Sequence, residues 1–115
     1  MGGEARRLAD GALEDDLLAV CPISFWEIAM LVQKGRLTIG RPIALWRHSL
    51  FDLGVLELPI DGGVCAVAGE IQDLHGGPAD RHILATAVCH EADLITADRR
   101  LLDWPGRLQR YDARK

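Results

Sequence analysis

The stretch that decides the fold is residues 79–103, which read ADRHILATAVCHEADLITADRRLLD. Its helical spacing predicts a helix from about Ala79 to Glu91, and the apolar run Asp93–Ala97 predicts a buried strand. Asp98 then precedes a short helix predicted over Arg99–Asp103. A helix, a strand and a second helix in this order are typical of a parallel α/β sheet.

The same alternation extends through the rest of the chain. Two further apolar runs, Leu17–Cys21 and Val55–Pro59, predict the first and second strands. The other predicted elements are helices over residues 4–14 and 23–33, a helix after Pro42, a helix capped by Asp61 with apolar positions Val64, Val67, Ala68, Ile71 and Leu74, and an edge strand over Arg107–Tyr111. We therefore expect an α/β domain with a mostly parallel sheet.

Size and composition describe a globular protein without a broad nucleic-acid-binding coat. The 115 residues fit one domain, and 49% of them are hydrophobic against 26% charged. The sequence has thirteen Lys and Arg residues and seventeen Asp and Glu residues, which gives a net charge of −4. Any contact with nucleic acid must therefore rely on a local basic patch or on bound cations.

The cysteines indicate a reducing compartment, and the apolar runs indicate a chain without a membrane-spanning segment. Cys21, Cys65 and Cys89 form no C-x-x-C pair, so we expect buried free thiols rather than disulfides or a zinc site. The first residues lack the apolar stretch of a signal peptide. The most apolar run, Leu17–Trp26, is broken by Pro22 and is too short to cross a bilayer. A soluble, cytoplasmic protein without membrane contact is the expectation.

Three acidic residues lie where predicted strands give way to helices. They are Glu27, Asp80 and Asp98. In an open parallel sheet, the functional residues lie beyond the carboxyl ends of the strands. Each alone has a local explanation. Glu27 completes a capping box with Ser24. Asp80 is a first-turn acid favoured by the helix dipole, and Asp98 is an N-cap.

Taken together, the three acids indicate a metal site. Carboxylates that converge on one sheet edge repel one another unless a cation lies among them, and ligation by oxygen alone suits Mg²⁺ or Mn²⁺. Such an ion activates water and stabilises charge on phosphoryl oxygens.

Three segments resemble the signature segments of PIN-domain ribonucleases, in particular the VapC-type toxins of bacterial toxin–antitoxin pairs. They are Ser24–Ala29, Pro78–Ala87 and Leu94–Arg100, and they follow the order and spacing of the family. The resemblance covers nearly all of residues 1–115 and describes a single domain. It implies a three-layer α/β/α fold, a metal-dependent endoribonuclease that cleaves RNA, an antitoxin partner and a homodimer.

The resemblance also implies roles for individual residues. The metal-binding acids of the family fall on Glu27, Asp80 and Asp98, which would hold Mg²⁺ or Mn²⁺. Thr96 matches a hydroxyl residue that supports the metal cluster through water or hydrogen bonds. Ser24 matches a small polar residue that orients the loop bearing Glu27. The implied catalytic residues are therefore Glu27, Asp80, Thr96 and Asp98.

The chain departs from the family pattern at its start. The family opens with a hydrophobic central strand ending in an Asp that is a principal metal ligand, and this chain has neither. Asp10, Asp15 and Asp16 fall within or after the helix that follows that strand and cannot replace the Asp. We therefore expect an N-terminally truncated product or a misplaced start codon. This chain is expected to cleave RNA poorly or not at all, whereas a form extended by that strand and its Asp is expected to cleave single-stranded or loop RNA in a metal-dependent way.

Two functions of different classes follow from this pattern. The first is the endoribonuclease toxin. The alternative is a truncated, catalytically weak or inactive PIN-fold module that dimerises or captures a partner. A phosphotransfer domain on a similar sheet is a third interpretation, but it requires a nucleophilic Asp after the first strand, and none is present.

Several residues near the acids carry competing interpretations. Trp26 is expected to pack in the core rather than stack on a base. Arg81 either contacts phosphate, orients an acid or forms a solvent-facing ion pair. The one basic run either touches RNA or an acidic partner or forms a solvated face; it comprises Arg99, Arg100, Arg107, Arg110, Arg114 and Lys115.

Overall fold

The computed structural model describes residues 1–115 as six helices and four short strands. In chain order they are α1 (Gly3–Glu14), β1 (Ala19–Val20), α2 (Ile23–Gln33), α3 (Ile43–Asp52), β2 (Leu56–Glu57), α4 (Gly62–Glu70), α5 (Pro78–Cys89), β3 (Leu94–Thr96), α6 (Arg99–Leu102) and β4 (Arg110–Asp112). Every predicted helix and strand is present at or near its expected place. The predicted α/β class is therefore confirmed.

All strand pairing is parallel, as predicted, but the strands form two separate pairs. β1 pairs with β2, with Ala19 opposite Leu56, and β3 pairs with β4, with Leu94 opposite Arg110. No ladder of hydrogen bonds joins one pair to the other. The strands are shorter than the apolar runs that predicted them, because only two or three residues of each run lie opposite a partner strand.

α5 is the best-buried helix, and its packing fixes the position of its acidic first turn. Ala85 packs against Val64 and Ala68 of α4. Leu84, which is fully buried, packs against Leu101 of α6 in a second cluster. Because α5 is held by both clusters, residues at its N-terminal end have little freedom to move.

α4 ends earlier than its apolar spacing predicted. The helix stops at Glu70, although Ile71 and Leu74 continue the spacing. Arg81 of α5 supplies the reason, since its Nε donates to the Ala68 carbonyl at 2.8 Å and its Nη2 donates to the Ile71 carbonyl at 2.8 Å. These bonds satisfy carbonyls at the end of the helix. The Arg81 guanidinium therefore joins α5 to α4, a role that none of the three sequence interpretations included.

β4 begins later than predicted, at Arg110 instead of Arg107. The Arg110 guanidinium turns back along the chain and donates to the carbonyls of Leu101, Trp104 and Gly106. These bonds hold the segment between α6 and β4 as a loop. The residues just before Arg110 therefore do not extend the strand.

Two expectations about the surroundings of the protein can be compared with the structure. The cysteines form no disulfide, as expected, but Cys65 and Cys89 are exposed and Cys21 is only partly buried. The expectation of buried thiols is therefore wrong. None of the six helices has the length and apolarity needed to span a membrane.

Candidate metal centre

Asp98 lies directly after β3 and caps α6. Its Oδ1 accepts the backbone N–H of Arg100 at 2.9 Å, so the predicted N-cap is present. The Thr96 hydroxyl accepts the backbone N–H of Asp98 at 3.1 Å. Thr96 thus fixes the turn that carries Asp98, and the capping bond leaves the second carboxylate oxygen, Oδ2, free for other contacts.

Asp80 lies in the first turn of α5 and is 7% exposed. Its Oδ2 accepts the backbone N–H of Gly77 at 3.1 Å, which satisfies a free N–H group at the start of the helix. The predicted capping interaction of Asp80 is therefore present. A buried carboxylate of this kind requires further polar or cationic neighbours.

Gly76 determines how closely the loop before α5 approaches Asp80. A Cβ atom placed on Gly76 would lie 2.6 Å from Asp80 Oδ2 and 2.9 Å from Asp80 Cβ. A Cβ atom on the adjacent Gly77 would have no neighbour within 4 Å. Gly76 was interpreted from sequence only as part of a turn. The signal that could have identified it is a small residue four positions before an acid at a helix start.

Gly76→Ala is expected to lower the free energy of unfolding by about 1–3 kcal/mol, because the methyl group must displace the Asp80 carboxylate or the loop. Gly77→Ala, the matched control, is expected to change it by less than about 1 kcal/mol, since the φ of Gly77 is −77° and its surroundings are open. Urea denaturation of both variants tests the difference. Equal stability of the two variants would contradict the close approach of Gly76 to Asp80.

Glu27 lies in the second turn of α2, and its predicted capping box is wrong. The helix is preceded by Pro22, and no side chain caps it. Ser24 is already inside the helix, with its N–H bonded to the Cys21 carbonyl. The pKa of Glu27 is raised, first by burial and then by the negative charges of Asp80 and Asp98. Glu27 therefore lies within the electrostatic field of the other two acids.

The raised pKa of Glu27 predicts a stability change with a definite sign. Between the ordinary value of 4.5 and the raised value, the folded protein binds more protons than the unfolded chain, so its stability falls as the pH rises. In a chelating buffer at pH 7, Glu27→Gln is therefore expected to be more stable than the wild type. The difference should vanish at pH 4, and denaturation at the two pH values measures it. A less stable Glu27→Gln protein at pH 7 would contradict the raised pKa of Glu27.

Arg100 provides the positive charge of the acidic cluster. Its Nη2 lies 3.0 Å from Asp98 Oδ2 and 3.3 Å from Asp80 Oδ2, and its Nε donates to Asp98 Oδ1 at 3.2 Å. The hydrogen bond from this side chain lowers the pKa of Asp98. From sequence, Arg100 was considered only as one member of the basic run.

The donor types of the cluster suit a hard divalent cation, although the three acids do not enclose one. Three carboxylates supply oxygen ligands, which Mg²⁺ and Mn²⁺ prefer. A cationic guanidinium already bridges Asp80 and Asp98. The structure thus brings Asp80 and Asp98 together, with Glu27 and Thr96 close by, but no three acids converge tightly enough to surround an ion.

Most of the basic run is paired within the chain. Arg100 contacts the acids, and Arg110 binds backbone carbonyls. Arg114 and Arg99 both contact Asp112, at 3.1 Å and 3.6 Å respectively. The run therefore does not form an open cationic surface. Three of its six charges, those of Arg99, Arg100 and Arg114, lie beside carboxylates.

The surface beside the cluster carries an exposed aromatic ring and a cleft. Trp26 is 55% exposed, so the expectation that it packs in the core is wrong. A cleft of about 170 Å³ opens next to Arg100; it is lined by Asp73, His75, Arg99, Arg100, Asp103 and Trp104. None of the three clustered acids lines the cleft. The Arg100 side chain therefore has space on the side away from the acids.

The sequence pattern of the PIN domain matches residues 2–106. The chain belongs to the PIN-domain family. Ribonuclease VapC22 of Mycobacterium tuberculosis (strain ATCC 25618 / H37Rv) is 39% identical to it over 87 residues. These residues are 75% of this chain and 66% of that protein, so the match spans slightly less than two thirds of the relative. No solved structure matches the chain significantly.

The two matches confirm the resemblance to PIN-domain, VapC-type proteins that the three sequence segments indicated. They also agree with the PIN-like α/β/α fold class, since the structure alternates helices with parallel strands. The PIN-domain match covers α1 through α6. All three acids of the cluster therefore lie within the matched residues.

Proposed function

We propose that this PIN-domain protein is a metal-dependent endoribonuclease and the toxin of a toxin–antitoxin pair. One observation in this PIN-domain chain supports the proposal: Asp80 and Asp98 both contact Arg100, and their negative charges raise the pKa of Glu27. The similarity to Ribonuclease VapC22 supports the same activity. A single domain over residues 1–115 that acts in the cytoplasm is part of the proposal.

Glu27, Asp80 and Asp98 are the residues that would hold Mg²⁺ or Mn²⁺. When bound, such an ion lowers the pKa of water and stabilises charge on the phosphoryl oxygens. Asp80 is held by the Gly77 N–H, and Asp98 is held by the turn that Thr96 fixes. Thr96 therefore acts through Asp98, as a positioning residue. These contacts keep the carboxylates in place before substrate binds.

The substrate proposed is single-stranded or loop RNA. Paired A-form RNA hides its base edges, whereas loops present their bases and a flexible phosphodiester backbone. Because the net charge is −4 and three residues of the basic run are paired with carboxylates, the bound cation would be the main attraction for phosphate. Cleavage is therefore expected to depend steeply on divalent cation concentration.

The test is cleavage of a labelled hairpin RNA by the purified chain in Mn²⁺, with and without chelator. The proposal predicts cuts in the loop that disappear with chelator. Cutting that survives the chelator would overturn the metal-dependent mechanism. Absence of any cutting together with tight capture of a partner would instead support the binding module.

The binding module is favoured by one specific observation. Arg100 occupies the space between Asp80 and Asp98, and no three acids converge tightly enough to surround an ion. Because ligand geometry must be accurate for in-line attack on phosphate, a loosely held ion gives slow cleavage. Slow cleavage with intact partner binding is the outcome that distinguishes this candidate.

A homodimer and an acidic or apolar antitoxin segment are the partners proposed. The accessible surface is 7417 Å², whereas a monomer of this mass is expected to expose roughly 6,200 Å². Exposed large apolar residues occur within or next to α2, α3 and β2: Leu31, Val32, Leu45, Phe51, Leu53 and Leu56. Exposed apolar surface of this extent is typical of an interaction site.

The chain is therefore expected to sediment as a dimer in analytical ultracentrifugation at concentrations of tens of micromolar. Burial of apolar side chains between the copies drives the association, so added salt should not disrupt it. A clean monomer under these conditions would contradict the dimer. Dissociation by salt would show that charge pairs, rather than apolar contacts, hold the copies together.

A further inference from the structure

The Arg100 side chain contacts two carboxylates that belong to different parts of the chain. Asp98 lies two residues before it, and Asp80 lies twenty residues before it. Its Nη2 lies 3.0 Å from Asp98 Oδ2 and 3.3 Å from Asp80 Oδ2. Both oxygens are therefore within reach of one nitrogen atom, in the place where a small cation would bind the same two groups.

The pairing of Arg100 with Asp98 joins residues two positions apart, and the chain contains a second Asp-x-Arg pair with the same bonds. Arg114 donates to Asp112 Oδ1 through its backbone N–H at 2.9 Å and its Nε at 3.1 Å, and its Nη2 donates to Oδ2 at 3.2 Å. Arg100 makes the same three bonds to Asp98 at 2.9, 3.2 and 3.0 Å. The contact with Asp80 is what distinguishes Arg100 from Arg114.

We propose that the Arg100 guanidinium occupies the cation position between Asp80 and Asp98 when no divalent ion is bound, and that it must leave this position for the ion to enter. The inference rests on the proposed function, since it assigns the same acids to the metal. It makes Arg100 a built-in competitor of the metal. The residue acts on metal affinity and is not assigned a contact with RNA.

Competition follows from the number of ligand atoms available. An ion bound directly to Asp80 and Asp98 needs carboxylate oxygens at about 2.0–2.1 Å for Mg²⁺, and a guanidinium on the same oxygens excludes it. The guanidinium is also positive, so it repels the ion. Asp98 would then have to exchange its hydrogen bonds to Arg100 for bonds to the metal, and Asp80 would have to exchange its ion pair.

The displacement is feasible because Arg100 is held loosely on its outer side. Its side chain is 55% exposed, and the cleft beside it is open. Arg100 is the exposed partner of both pairs, whereas the Asp80 side chain is only 9% exposed, so the ion that replaces the guanidinium must also supply positive charge to Asp80. Removing the guanidinium is therefore expected to tighten Mn²⁺ binding by roughly 3- to 10-fold.

Two other roles for Arg100 predict different changes in Mn²⁺ affinity. If the guanidinium held Asp80 and Asp98 in the geometry that the metal needs, its removal would let the acids separate and would weaken Mn²⁺ binding. If its charge acted only at a distance, Arg100→Lys would bind Mn²⁺ like the wild type, because the charge is kept. The fork of donors is lost in Lys, so competition for both carboxylates predicts tighter binding by Arg100→Lys as well.

The experiment is calorimetric titration of Mn²⁺ into the wild type, Arg100→Gln and Arg100→Lys. Arg114→Gln is the control for the local pairing, and Arg99→Gln is the control for loss of a nearby charge. Tighter binding by both Arg100 variants, with both controls close to the wild type, is the expected result. Unchanged or weaker binding by Arg100→Gln overturns the inference, and so does wild-type affinity in Arg100→Lys.

A second measurement does not depend on titration heats. In chelator, Arg100→Gln should melt at a lower temperature than the wild type because the acids lose their neutralising charge, and Mn²⁺ should raise its melting temperature more than that of the wild type. An equal rise in both proteins contradicts the competition. If no variant binds Mn²⁺, the metal centre of the proposed function fails together with this inference. If wild type and Arg100→Gln bind equally, only the role of Arg100 fails.

Discussion

Asp80→Asn is expected to lower metal-dependent cleavage of a hairpin RNA by at least about 100-fold. Loss of groups that only support metal ligands costs 10- to 100-fold, and loss of a ligand charge should cost at least as much. Asn has the same shape and still offers an oxygen to the Gly77 N–H that Asp80 accepts at 3.1 Å. The fall in rate can therefore be assigned to the charge rather than to unfolding of α5.

Initial rates in Mn²⁺ at saturating RNA measure this effect, and circular dichroism checks that the variant folds. Asp61→Asn is the matched control. Asp61 also accepts a backbone N–H at a helix start, that of Val64 at 3.0 Å, but it lies outside the cluster. Full activity of the Asp80→Asn protein would remove Asp80 from the site and would overturn the assignment of the nuclease centre.

Asp98→Asn is expected to weaken Mn²⁺ binding by at least about tenfold. Asn is as good an N-cap as Asp, so α6 and the bond that Oδ1 accepts from the Arg100 N–H should persist. The negative charge that attracts both Arg100 and the metal is lost. Titration calorimetry of the wild type and the variant gives the ratio of dissociation constants directly.

Asp112→Asn controls for the removal of one carboxylate from an Asp-x-Arg pair. Asp112, in β4, accepts the same set of bonds from Arg114, and its ion pairs are with Arg114 and Arg99 rather than with Arg100. Its substitution should leave Mn²⁺ affinity within about twofold of the wild type, since the Asp112 carboxylate is paired with Arg114 and Arg99 and does not contact Arg100. Equal binding by the Asp98→Asn protein and the wild type would show that Asp98 is not a ligand.

The fold class and most elements could be predicted because their signals lie within a few neighbouring residues. The apolar spacing of residues 23–33 and the stop at Lys34-Gly35 predicted α2 with the bounds that the structure has. The caps by Asp61 and Asp98 were predicted for the same reason, because a cap is decided by one side chain and the next few N–H groups. The parallel pairing followed from helices placed between strands.

The helix and strand boundaries that were predicted wrongly depend on contacts between residues distant in sequence. Arg81 ends α4 by binding carbonyls ten and thirteen residues away, and Arg110 holds the loop before β4. The sequence pattern indicated a phosphate contact, an acid-orienting role or a solvent-facing ion pair for Arg81, and a contact with RNA or an acidic partner or a solvated face for Arg110. Nothing in the local pattern shows that a long guanidinium side chain folds back onto the backbone, because that depends on how α5 packs against α4.

The sequence by itself determined which acids lie at the ends of strands and helices, and hence that Asp80, Asp98 and Glu27 are candidates for one site. Tertiary structure alone decided that Arg100 contacts both Asp80 and Asp98, and that the charges of these two acids raise the pKa of Glu27. The physical reason is the range of each interaction. Periodicity and capping act over three or four residues, whereas charges separated by up to 71 positions meet only after α2, α5 and α6 have packed.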